Sequence, residues 1–94
     1  MYASYIEAKV KSGTSKAIKL AKNMISDVGE IPNVKKFVLI DKGNDNILLL
    51  AFYDTAEDQV AATPKAQEVI GLLADLAAAP PERVQVKVAI DHTY

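Results

Sequence analysis

The chain has 94 residues, 50% of them apolar, and a formal net charge of −1 from 11 basic and 12 acidic residues. That is one domain's worth of sequence, 1–94, with enough apolar material for a single core but a large surface left over, so association is a natural further source of stability. The interspersed charges leave no basic block to neutralise a run of phosphates, and with no cysteine there can be no disulfide, thiolate nucleophile, iron–sulfur ligation or cysteine zinc site.

Tyr2 to Lys11 alternates with period two: Ser4, Ile6, Ala8 and Val10 share one side, and Ala3, Tyr5, Glu7 and Lys9 the other. With Glu7 and Lys9 inside it, the stretch has no continuous apolar core of the kind a signal peptide needs. Ser12-Gly13-Thr14 breaks the strand, and Ser12 or Thr14 can cap the helix that follows. There Ala17, Ile18, Ala21, Ile25 and Val28 recur at spacings of three and four, with Lys16, Lys19 and Lys22 elsewhere, which makes an amphipathic helix. Gly29 stands at its stop, and Ile31-Pro32-Asn33 turns into the next strand.

Val34 to Asp41 and Ile47 to Asp54 flank Lys42-Gly43-Asn44-Asp45-Asn46, whose residues tolerate the positive φ of a tight turn, so a hairpin is expected. Lys35-Lys36 reads as a solvated strand edge rather than a phosphate clamp. Thr55 and Asp58 have the spacing of a capping box. The helical region they open is expected in two pieces, because Thr63-Pro64 reads as a second N-cap with proline at the first helical position. Ala66, Val69, Ile70, Leu73, Leu76 and Ala77 then form an apolar stripe, and Pro80-Pro81 is the expected end of the helix. Val84, Val86, Val88 and Ile90 alternate with Arg83, Gln85, Lys87 and Ala89 in a last strand.

The order β-α-β-β-α-β, joined by right-handed crossovers, predicts an α+β, ferredoxin-like sandwich with an antiparallel sheet in the order 4-1-3-2 and both helices on one face. The other face should then be polar, yet the hairpin strands are apolar on both sides. One side was expected to carry Val38, Ile40, Ile47 and Leu49, and the other Phe37, Leu39, Leu48, Leu50 and Phe52. Two apolar faces require two covers, so a homodimer packed sheet against sheet is the expected assembly. If Ile6, Ala8 and Val10 face the helices together with Val84, Val86, Val88 and Ile90, then Tyr5, Glu7, Lys9, Arg83, Gln85 and Lys87 lie on the uncovered face. Glu7 and Lys9 there read as rim charges paired with strand-four partners, or as part of a mixed polar cavity with Tyr5.

The segments Ile31-Pro32-Asn33-Val34, Val38-Leu39-Ile40-Asp41, Phe52-Tyr53-Asp54-Thr55 and Leu73-Ala74-Asp75-Leu76, with Pro80-Pro81 ahead of the last strand, resemble the dimeric α/β-barrel superfamily, close to its antibiotic-biosynthesis-monooxygenase-like proteins. The likeness runs over roughly residues 3 to 91. It implies a homodimer in which two four-stranded sheets close into a barrel. Some members of that group are cofactor-independent oxygenases acting on polycyclic phenols, others degrade haem, and many have no known activity. The haem branch uses a histidine on the second helix with an inward asparagine and tryptophan; residues 57–79 hold no histidine and the chain has no tryptophan. A bulky aromatic that many relatives place in the second helix is replaced by Val69 or Ile70, which argues against a flat aromatic substrate.

Tyr5, Glu7 and Tyr53 are the candidate catalytic residues, since a pocket phenol can donate a hydrogen bond to an oxyanion. The lone histidine, His92, sits in the tail, and one histidine is no metal signature. Gly13, Gly29, Gly43 and Gly71 are isolated, so no phosphate loop exists. The expected protein binds no cofactor, metal, nucleic acid or membrane, for no stretch reaches the ~20 apolar residues of a membrane helix. It is expected to be cytoplasmic, either a cofactor-independent monooxygenase-like enzyme with a small organic substrate or a non-catalytic ligand-binding or interaction dimer.

Overall fold

The computed structural model describes residues 1–11 and 13–94. Its elements follow the expected order: β1 (Tyr2–Lys9), α1 (Thr14–Gly29), β2 (Lys36–Gly43), β3 (Asn46–Tyr53), α2 (Ala56–Ala61), α3 (Thr63–Ala74) and β4 (Arg83–Lys87). The four strands form one antiparallel sheet in the order β2-β3-β1-β4, the expected order read from the other edge. This is the α+β, ferredoxin-like arrangement. No helix is long and apolar enough to cross a membrane, a statement that covers the described residues.

Turn chemistry sets the joints. Gly43, Asn44 and Asp45 all take positive φ (82°, 52° and 64°), the backbone a right-twisted hairpin requires and one that these three residue types adopt at low cost. Asn33 does the same (59°) in the turn ahead of β2. The Thr55 hydroxyl accepts the Asp58 amide at 3.1 Å, capping α2 as the spacing predicts. The predicted break falls between α2 and α3, with Pro64 in the first turn of α3. Gly13 holds the cap position of α1 with no side-chain cap; the expectation for Ser12 lies outside the described residues.

Two helical expectations need correction. On α1 the buried residues are Ala17, Ala21, Met24 and Val28, whereas Ile25 is 61% exposed. The stripe runs at spacings of four, three and four, and Met24 takes the core position expected for Ile25. The helix before Pro80-Pro81 ends at Ala74, earlier than the prolines require. Ala77 bridges to Val10, the Ala78 amide donates to the Lys9 carbonyl at 2.7 Å, and the Lys11 amide donates to the Leu76 carbonyl at 2.9 Å. The chain leaves the helix to pair with the end of β1, so Leu76 and Ala77 pack against the core from a turn and a bridge.

Strand register corrects the facing of the outer strands. Residues directly opposite in a ladder share a face. Phe37 lies opposite Ala51 and Leu39 opposite Leu49, and this side, with the fully buried Ile47 and Tyr53, meets the helices. Val38 and Ile40 lie opposite Leu50 and Leu48, so they belong with Phe52 on the uncovered side, not with Ile47 and Leu49. In β4, Val84 is opposite Tyr5 and Val86 opposite Ala3, which places both valines on the uncovered face; Arg83 and Gln85, opposite Ile6 and Ser4, point to the helices. The helix-facing core has two linked parts: Ile47, Leu49 and Leu73 at one end, and Met24, Val28, Tyr53, Ala66 and Val69 at the other. Lys65 ties the end of α1 to α3, with Nζ 3.1 Å from both Glu30 Oε2 and Glu68 Oε2. The Glu30 contact first, and Glu68 second, raise its pKa above the ordinary lysine value, so this tie is intact at neutral pH and is lost only as pH climbs through the raised value.

Ile47 is fully buried at the centre of the first cluster. Ile47→Ala is expected to cost about 2–5 kcal/mol in equilibrium urea unfolding, by lost transfer free energy plus the cavity left behind.

Candidate functional site

Between the helix-facing side of the sheet and the pair α1 and α3 lies a cavity of about 50 Å³. Ser4, Tyr53 and Arg83 reach it from three different strands, and Met24 of α1 with Val69 and Leu73 of α3 close it from above. The sheet register explains why these polar groups converge. Ser4 is opposite Ala51 on one side and Gln85 on the other, Tyr53 is two residues beyond Ala51, and Arg83 is two residues before Gln85. All therefore stand on one face, with Ser4 on the middle strand between Tyr53 and Arg83.

Two of the three polar groups are unsatisfied within the protein. Ser4 Oγ and Tyr53 Oη are buried, and neither has a hydrogen-bond partner among the described residues. Ser4 is 5% exposed and Tyr53 0%. Native interiors rarely leave buried polar groups unpaired, since each costs on the order of 1–3 kcal/mol. Two such hydroxyls lining one cavity are the strongest sign of a binding site in the molecule.

Arg83 is differently placed. Its Nη1 donates to Thr63 Oγ1 at 2.8 Å and its Nη2 donates to the Gln59 carbonyl at 3.0 Å. That carbonyl belongs to the last turn of α2, where the helix breaks before Thr63, and a guanidinium there satisfies an orphan acceptor and complements the helix dipole. Gln85 Nε2 adds a 3.3 Å bond to Thr63 Oγ1. The buried Gln59 side chain meanwhile donates to the Ala3 carbonyl at 2.6 Å and to the Val86 carbonyl at 3.3 Å. Arg83 and Gln59 thus fasten the α2–α3 break to the β1–β4 edge, with two of the five guanidinium donors held by neutral acceptors.

The sequence candidates divide between the two faces. Tyr53 is in the cavity. Tyr5 and Glu7 are on the opposite side of the sheet, beside Leu50 and Leu48, with Glu7 Oε1 accepting a hydrogen bond from Lys42 Nζ in an exposed ion pair. Tyr5, Glu7 and Lys9 thus stand on the uncovered face, where alternation places them, and no carboxylate lines the helix-side cavity. Ser4 was placed on the correct side by alternation but not singled out; the available signal was a lone hydroxyl in an otherwise apolar inward row. His92 stacks edge-on with Tyr94 at 4.7 Å in the exposed tail, far along the chain from the cavity residues. Among the described residues no group of three or more histidine, aspartate or glutamate side chains could hold a metal ion. A larger depression of about 290 Å³ lies on the uncovered side, lined by Phe52, Lys35, Lys36 and the tail residues Val88, Ile90 and Asp91 with Met1. No buried unpaired polar group lies in it, and Ile90 is 86% exposed.

Removing an unpaired buried hydroxyl relieves a desolvation penalty. Tyr53→Phe and Ser4→Ala are accordingly expected to leave ligand-free stability unchanged or to raise it by about 1 kcal/mol in urea unfolding, and a loss of more than about 1 kcal/mol would mean that the hydroxyl is paired in solution.

No protein-family profile matches this chain, and no curated protein matches it. Solved structures do. A protein of Nitrosomonas europaea provisionally assigned as an antibiotic biosynthesis monooxygenase is 22% identical with a TM-score of 0.70, covering 96% of this chain and 100% of its own. The monooxygenase of the ActVA-Orf6 gene of Streptomyces coelicolor, solved with nanaomycin D, is 16% identical with a TM-score of 0.71, covering 98% and 92%. SnoaB, a cofactor-independent oxygenase of Streptomyces nogalater, is 10% identical with a TM-score of 0.75, covering 96% and 94%. At such identities the likeness is one of fold, and that fold is the one found in the antibiotic-biosynthesis-monooxygenase-like proteins.

Proposed function

We propose that residues 1–94 act as one domain that assembles as a homodimer, sheet against sheet, and that each protomer binds a small organic molecule in the cavity between sheet and helices, with cofactor-independent monooxygenase-like chemistry. The observation that carries this reading is the pair of unpaired buried hydroxyls, Ser4 Oγ and Tyr53 Oη, lining an apolar cavity. Two neighbours of the same fold, at 16% and 10% identity, are named as a monooxygenase and a cofactor-independent oxygenase; this is analogy of fold, which lends chemistry only in outline. In such chemistry an activated CH₂ of the substrate and O₂ yield C=O and water. The step needs an oxyanion to be stabilised as the substrate loses a proton, and the Tyr53 hydroxyl is the cavity donor suited to that.

A second reading, a non-catalytic binding dimer, is favoured by one specific fact: no carboxylate or histidine lines the cavity to take the substrate's proton. Oxygen uptake with a panel of phenols and activated ketones separates the two. For the enzyme, wild-type protein consumes O₂ and Tyr53→Phe lowers kcat on the order of a hundredfold. Saturable binding without uptake identifies the non-catalytic protein, and uptake unaffected by Tyr53→Phe removes the assigned role.

The dimer rests on the uncovered face. Its residues form cross-strand rows, Val38–Leu50–Tyr5–Val84 and Phe52–Ala3–Val86, spanning the sheet, and Val84 and Val86 are 36% and 38% exposed. A contiguous apolar surface of this kind marks an interface. Leu50→Lys, at the middle of the first row, is expected to halve the mass measured by light scattering at micromolar concentration; wild-type protein already monomeric there would overturn the assembly.

A further inference from the structure

Three features of the cavity limit what it can hold: its size, its charge and its hydrogen-bonding groups. The volume of about 50 Å³ exceeds the 10–15 Å³ that one water requires, but gives room for only a few heavy atoms before side chains must move. Met24, Val69 and Leu73 are the side chains above it, unbranched or small enough to shift by rotamer changes that would admit one ring. A fused polycycle would need the two helices to part.

The charge argument is independent of size. Arg83 is the one cation on the lining. Both of its terminal nitrogens are engaged, by Thr63 Oγ1 and by the Gln59 carbonyl at the end of α2. Both acceptors are neutral and occupy two of its five N–H donors, so the guanidinium keeps its charge and disfavours a cationic ligand, for which no carboxylate lines the space. What remains unpaired is a pair of neutral hydroxyls on adjacent strands, Ser4 on β1 and Tyr53 on β3. Each can donate or accept, so together they can satisfy a single oxygen: two donors for a carbonyl, or one donor and one acceptor for an alcohol or phenol.

We infer that the ligand of this site is a compact, largely apolar molecule without positive charge, no larger than one ring, carrying one hydroxyl or carbonyl oxygen that sits between Ser4 Oγ and Tyr53 Oη. The inference rests on the sheet–helix cavity being the ligand site, as proposed above, and narrows the class of molecule it takes to single-ring phenols, alcohols and ketones.

The test is a titration of the isotope-labelled protein followed by amide chemical shifts, with four probes: phenol, cyclohexanone, toluene and a tricyclic anthrone. Phenol and cyclohexanone are expected to shift the amides of Ser4, Ala51, Tyr53, Val69 and Leu73 saturably. Toluene, which matches phenol in shape but lacks the oxygen, should bind about tenfold more weakly. Tyr53→Phe and Ser4→Ala should each weaken phenol about tenfold while leaving toluene unchanged, and the toluene result shows that the cavity of each variant is intact. Equal losses for phenol and toluene, or none for either, would overturn the oxygen seat. Anthrone binding the same amides more tightly than phenol would overturn the size limit and leave the site reading standing. If no probe, small or large, moves the cavity amides, the cavity is not the ligand site and both readings fall.

Discussion

In this β-α-β-β-α-β chain the right-handed crossovers put the helices against one face of the sheet, while both faces of the central strand β3 are apolar. Most of the structure follows from that constraint. On the helix side, Ile47, Leu49 and Tyr53 of β3 are buried by α1 and α3. On the other side the same strand offers Leu48, Leu50 and Phe52, which the chain itself leaves only partly covered. Polar side chains that would normally mark the wet face sit at the two ends of the strands there, Glu7 and Lys42 paired at one and Lys36 opposite Phe52 at the other. The sheet therefore separates an interior that the helices define from a surface that asks for a partner, and a residue's meaning depends first on which side it takes.

Alternation makes element type legible but not always facing. In β3 the order of strands, helices and turns could be read directly, because the hairpin is specified by Gly43, Asn44 and Asp45, and the helix break by Thr63 and Pro64. In β4 the period was clear but its phase was not. Valines at 84, 86 and 88 were read as inward because apolar residues ordinarily point to the core, an inference that fails when the opposite face is apolar too. A shift of one residue exchanges the two faces of a strand, and here the phase is fixed by groups distant in sequence: Arg83 and Gln85 reach Thr63 on α3, and Arg83 reaches the Gln59 carbonyl of α2. Nothing local to residues 83–90 announces that anchor.

The same distinction governs the site. Tyr53 could be nominated from sequence because a tyrosine in an apolar strand is conspicuous, but Tyr5 and Glu7 were nominated alongside it and stand on the other face. Ser4 is the less conspicuous residue and structurally the more informative. A serine in the middle strand contributes little apolar surface, so its hydroxyl facing the helices is a cost that packing alone does not explain. The early end of α3 was also beyond sequence reading: Pro80-Pro81 forbids a longer helix, yet the helix stops at Ala74 because residues 76–78 find backbone partners in Lys9, Val10 and Lys11. A hydrogen-bonding opportunity, not a steric stop, sets that boundary.

These features make the two faces energetically separable even though they share four strands. Arg83 and Gln59 bind the β1–β4 edge to the α2–α3 break, which holds the helices over the cavity irrespective of what covers the other face. Side chains alternate, so Ser4 and Tyr53 belong to the cavity while their neighbours Tyr5 and Phe52 belong to the exposed rows. A change of one residue along either strand thus moves a perturbation from the cavity to the uncovered face. The remaining coupling runs through the backbone: the Ala3 carbonyl that receives the Gln59 amide lies between the side chain of Ala3, buried in an exposed-face row, and Ser4 in the cavity. That stretch of β1 therefore joins the two faces directly, and the buried amide of Gln59 holds the strand in place there.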